Sequence, residues 1–113
     1  MEKLVFEVPR YTCSLFDCVG GEKTTFWNDF TIADKFGDKS VADTFKRVFE
    51  EWKDNYIYLT ELALVMNWKS WEWHEKGNGE RSKFYANAYY LVDNYALENL
   101  KDDERKYYLE TTD

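Results

Sequence analysis

The spacing of apolar positions along the chain changes near residue 26. Before that point Leu4, Phe6 and Val8 alternate with Val5 and Glu7 up to Pro9, the two-residue period of a short strand. Tyr11 to Cys18 fits a second strand, with Gly20-Gly21 as a joint. A lone two-stranded ribbon is marginal in water, so residues 1–25 are expected to form an extended or irregular segment that leans on the helices. From Phe26 the period becomes helical. Phe26, Phe30 and Ala33 stand at i, i+4 and i+7, and Gly37 occupies the position that ends such a helix. Thr31 with Asp34 matches a capping box and predicts a second short helix beginning there. Ser40 with Asp43 predicts the start of the next one. Its apolar face is Val41, Ala42, Phe45, Val48, Phe49, Trp52 and Tyr56, and Asp43 is placed to pair with Arg47.

The stretch YIYLTELALVMNWKSWEWHEK, about residues 56–76, has no Gly or Pro and is long enough for nearly six helical turns. Its apolar side chains fall into two stripes. Tyr58, Leu59, Leu62, Val65, Met66 and Trp73 form one; Ile57, Leu64, Trp68 and Trp71 form the other. Thr60, Asn67, Ser70 and His74 lie between them on one side, Glu61 and Glu72 on the other. A helix apolar on two sides is packed on two sides, which makes this the central helix of a bundle. Gly77-Asn78-Gly79 predicts a tight turn. The helix after it, about residues 80–101, carries a stripe of Phe84, Ala88, Leu91, Val92 and Tyr95. Residues 102–113 hold one further short helix docked by Tyr107, Tyr108 and Leu109. The expected fold is therefore all-α, four to five helices over 26–113 around the central one, preceded by the segment 1–25.

Charge narrows the partners. The net charge is −7, and residues 85–113 carry seven acidic side chains against three basic. Autonomous binding to nucleic acid needs clustered Lys and Arg, which this chain lacks. No run of 18 apolar residues is present to span a membrane, and MEKLVFEVPR is too short and too charged for a signal peptide core. A cytoplasmic location is expected.

Catalytic chemistry finds little footing. Cys13 and Cys18 lack the second ligand pair of a zinc site and are expected to be buried or idle thiols. His74 is the only histidine, so Ser14, Ser40, Ser70 and Ser82 have no dedicated base. The glycines at 77 and 79 follow a helix and precede no Gly-Lys-Ser/Thr, so no phosphate loop is expected. No catalytic residue, cofactor or metal is predicted. TIADKFGDKSVADTFKRVFEEW resembles a helix-turn-helix in its first half, with Ile32, Ala33, Phe36 and Gly37 suitably placed. Its second half has Asp38, Asp43 and Lys46 where that motif wants apolar residues. Aromatic content is the better lead: 19% of the chain, including five Trp. Trp and Tyr dominate interface hot spots, which makes Ile57, Leu64, Trp68 and Trp71 the candidate protein interface. The competing expectation is that both stripes are core.

FWNDFTIADKFGDKSVADTFKRVFEEWKDNYIYLTELALVMNWKSW, with YALENLK and YYLETTD near the end, resembles small proteins carried on bacterial conjugative elements and related mobile DNA. The resemblance covers about residues 26–113 and brings no catalytic residues with it. It implies a setting in which small acidic proteins modify the behaviour of a host protein. The reading is a non-enzymatic protein-interaction module with a protein partner or a second copy of itself. The first alternative is an anti-defence protein that imitates DNA by its charge, although Lys46-Arg47, Lys53 and Lys101 interrupt the acidic runs. The second is a degenerate helix-turn-helix.

Overall fold

The computed structural model describes residues 26–112. They form five α-helices, and no strand occurs among them: α1 (Phe26–Phe36), α2 (Asp38–Trp52), α3 (Tyr56–Glu75), α4 (Gly79–Asn99) and α5 (Asp102–Thr112). The fold is all-α, as the period predicts. The two strands expected before residue 26 lie outside the described residues. The described chain falls into two compact units that divide within α2, after Val48.

In the first unit one residue makes the joint. Gly37 has φ 111°, a left-handed conformation that ends α1 without a Cβ clash, and its carbonyl accepts the first hydrogen bond of α2 from Val41 N at 3.1 Å. Two expectations are corrected by this. Thr31 and Asp34 do not begin a helix of their own, because α1 runs through them unbroken. Ser40 does not cap α2, because Gly37 already starts it and Ser40 lies in its first turn. Asp43 pairs with Lys39 at 2.9 Å, one turn before it. Phe26, Trp27, Phe30, Ala33, Val41, Phe45 and Val48 are buried, while Ile32 and Phe36 are exposed.

In the second unit α3 is the hub. It packs most extensively on α4, less on α5, and α4 and α5 touch least. Asn55 is the cap of α3: its side-chain oxygen accepts from Ile57 N at 3.1 Å and Tyr58 N at 3.3 Å. Two orphan N–H groups are thereby satisfied, and Asn55→Ala is expected to lower stability by about 1 kcal/mol in urea melts. At the other end Gly77 has φ 82°, its N–H bonds to His74 O, and Asn78 N bonds to Trp73 O. That paired pattern closes α3, and Asn78 then caps α4 by accepting from Arg81 N at 3.1 Å. A turn this short forces the two helices antiparallel. Close approach near the turn is fixed by Ser70 and Ser82, each of whose hydroxyls donates to the other's carbonyl, at 3.1 and 2.8 Å. Tyr85, Ala88, Val92 and Ala96 are the buried residues of α4. Leu91, expected in that stripe, is 48% exposed; it sits roughly 110° around the helix from their mean direction. On α5 only Tyr108 is buried, and Leu109 is exposed, since consecutive helical side chains diverge by about 100°.

Candidate functional site

The face of α3 turned away from Ser70 and Ser82 is the candidate site. Ile57, Leu64, Trp68 and Trp71 define it in sequence, and one step is missing from their spacing. Glu61 supplies it: Ile57, Glu61, Leu64, Trp68 and Trp71 run at intervals of four, three, four and three, one unbroken helical stripe. The expectation placed Glu61 on a polar border beside Glu72. Instead it has 0% exposure, with Leu64 beside it at 5%. Ile57 and Trp68 are half-buried, and Trp71 is 59% exposed. The stripe is thus deepest at Glu61 and Leu64 and surfaces at its C-terminal end. Leu64 belongs to the core and offers nothing to a partner in this state.

Neither carboxylate oxygen of Glu61 has a hydrogen-bond partner among the described residues. Burial pushes its carboxyl well above the ordinary carboxylate range. Burial disfavours its charged form, because an ionised carboxylate here would be cut off from water. Glu72 behaves oppositely. Burial would raise it, but a hydrogen bond from Lys76 and the charge of Lys69 outweigh that and hold it below its ordinary value. Its two oxygens lie 3.1 Å from Lys69 Nζ and 2.8 Å from Lys76 Nζ. Lys69 is fully buried, which sequence reading missed, since Lys enters an interior only when paired.

The exposed end is aromatic and polar together. Trp71 meets His74 edge to face, ring centroids 5.7 Å apart. Two residues on from Trp71 the Trp73 ring is covered by cations, Lys76 Nζ at 4.6 Å and Arg81 Cζ at 4.9 Å from its centroid. This arrangement fixes the α3–α4 turn and leaves Trp71 as the ring with free area. Tyr90 and Leu91 on α4 and Leu109 on α5 are also exposed, but none continues a buried stripe on α3.

No group of three or more His, Cys, Asp and Glu that could hold a metal ion occurs among the described residues, and none of their helices is long and apolar enough to cross a membrane. The helix-turn-helix resemblance meets a different geometry. Gly37 alone joins α1 to α2, whereas that motif uses a turn of three to four residues. The outer side of α2 carries a depression lined by Phe36, Lys39, Ser40, Asp43, Thr44 and Arg47, a lining of mixed charge. Comparison with protein-family models, curated proteins and solved structures gives no match to this chain.

Proposed function

We propose that this protein is a non-enzymatic accessory module that docks on another protein through the exposed end of the second α3 stripe. The observation that carries the reading is Trp71, 59% exposed at the end of a stripe whose other members run into the interior. A large ring held on a rigid, capped helix loses little freedom on binding and offers a desolvated area with an N–H handle. His74, edge-on to it, adds a polar rim. The acidity of residues 85–113 favours a partner with a basic surface. The resemblance to proteins of mobile genetic elements supports the same class of role, an effect on a host protein exerted by contact.

The test is affinity capture with the wild type and Trp71→Ala side by side. Truncating a hot-spot Trp is expected to weaken the captured complex by about thirtyfold, the equivalent of about 2 kcal/mol. Fold stability should change by less than about 1 kcal/mol, because the ring is mostly in water. Sedimentation of the same two proteins decides whether the partner is a second copy paired about a two-fold axis. A wild-type dimer that becomes a monomer on Trp71→Ala identifies it as such. Unchanged capture and unchanged sedimentation would end the proposal. The DNA-mimicking alternative rests on the exposed acids at the start of α5, Asp102, Asp103 and Glu104. It is promoted over the first reading if the captured partners are DNA-binding proteins released by moderate salt and insensitive to Trp71→Ala.

A further inference from the structure

The side of α4 opposite its buried residues carries a pattern that reads the same from either end. Lys83, Asn87, Tyr90, Leu91, Asn94 and Glu98 are all exposed, and together they span about 100° of the helix circumference. Their successive spacings are four, three, one, three and four residues, a palindrome. The residue types follow the same symmetry. Tyr90 and Leu91 stand at the centre, an Asn lies one turn out on each side, and the ends carry opposite charges, Lys83 and Glu98. Three residues beyond each end, Glu80 and Lys101 are again exposed and opposite in sign. None of these four charges has an ion-pair partner among the described residues. The central side chains offer apolar area to a partner, Tyr90 at 60% exposure and Leu91 at 48%. The four charges sum to zero in a chain of net charge −7, so two copies meet here with little of the repulsion that the rest of the chain imposes.

We propose that this face of α4 is a contact between two copies of the chain, paired antiparallel about a two-fold axis that passes between Tyr90 and Leu91. In such a pair each residue meets the one at the same distance on the other side of the axis, and every contact occurs twice. Tyr90 lies on the partner's Leu91, which buries both side chains at the centre of the contact. Asn87 meets the partner's Asn94, and two side-chain amides can each donate and accept. Lys83 meets the partner's Glu98, and Glu80 meets the partner's Lys101, all at the rim. A parallel pair would instead set Lys83 against the partner's Lys83 and Glu98 against the partner's Glu98, so charge fixes the direction. One helix face per copy makes a small interface, and a dimer dissociating in the micromolar range is expected. The contact makes no use of Trp71. It therefore goes beyond the docking surface proposed above and does not depend on it.

Sedimentation of the full chain across the micromolar range at low salt, with charge-reversed variants beside the wild type, tests the pairing. Lys83→Glu and Glu98→Lys each turn two attractive contacts per dimer into repulsive ones. Each alone should weaken self-association about tenfold. An equimolar mixture of the two variants should regain it, because every contact between these positions is again opposite in sign in the mixed dimer. The double variant should regain it for the same reason. Leu91→Glu should abolish the dimer, since it sets a carboxylate against the partner's Tyr90. All three positions are exposed, so urea melts of the variants should match the wild type and show that the fold is kept. A wild type that stays monomeric throughout the range would overturn the proposal. So would a dimer that both single reversals leave intact, or one that the mixture fails to restore. Trp71→Ala should leave this dimer whole. A dimer lost in Trp71→Ala and kept in Leu91→Glu would place the contact on α3 and overturn the pairing through α4.

Discussion

Tyr108→Ala is expected to lower the stability of the fold by about 3–5 kcal/mol, the range for deleting a large buried aromatic side chain. Tyr108 is the only buried residue of α5, so its ring supplies the interior contact that the helix makes. Its hydroxyl donates to Asp93 Oδ1 at 2.7 Å and ties α5 to α4. Tyr107 beside it is half-buried and stands edge-on to Tyr56, centroids 5.3 Å apart. Tyr108→Phe keeps the ring and removes only the bond to a carboxylate, which should cost about 2 kcal/mol. Urea melts of the two variants separate packing from hydrogen bonding. Burial, reinforced by Asp93, pushes the Tyr108 hydroxyl far above its ordinary range. The unfolded chain therefore loses that proton first. The contribution of Tyr108 should be constant at neutral pH and decline above about pH 10. Near-equal melts for Tyr108→Ala and the wild type would mean that α5 is not docked by this ring.

Lys69→Ala is the second large effect, expected at about 3 kcal/mol. Removing one partner of a buried ion pair costs about 3–5 kcal/mol, because the other charge is stranded. The low end applies here, since Glu72 keeps Lys76 at 2.8 Å and retains some solvent contact. The loss has a signature in pH. Glu72 is held below its ordinary value, so its ionised form stabilises the fold above the ordinary carboxylate range, and that contribution disappears as pH falls through the lowered value. Lys69→Ala weakens this hold. The gap between wild type and variant should accordingly narrow from pH 7 toward pH 3 in urea melts. A gap independent of pH would assign the whole cost to the lost packing of the Lys69 stem. Glu72 and Glu61, two of the three carboxylates of α3, thus impose opposite slopes. Glu72 favours the fold as pH rises, and Glu61 opposes it.

Local chain chemistry made much of the architecture legible. Gly37 and Gly77 stand where positive φ is needed, so the breaks were visible as glycines. The capping role of Asn55 follows from a side chain that satisfies orphan N–H groups. The helical period of the apolar residues located α3 to within a residue of its ends, because that period depends on one helix alone. Side-chain partners at longer range were not legible. The reciprocal bonds of Ser70 and Ser82 and the Tyr108–Asp93 bond join residues 12 and 15 positions apart.

The sequence by itself determined that this chain is helical from residue 26, where its helices break, and that α3 is apolar on two sides. Those properties come from backbone preference and from the 3.6-residue repeat, which act within a few turns. Only the tertiary structure decided which members of each stripe are covered. Leu91 and Leu109 are as apolar as Leu62, yet they are exposed while Leu62 is fully buried, because they point away from the side on which their helices pack. Glu61 and Lys69 are as polar as Glu72 and Lys76, yet they are fully buried because the stripe and the packing around α3 pass over them. Residue type sets the cost of burial, and the arrangement of the helices sets which residues bear it.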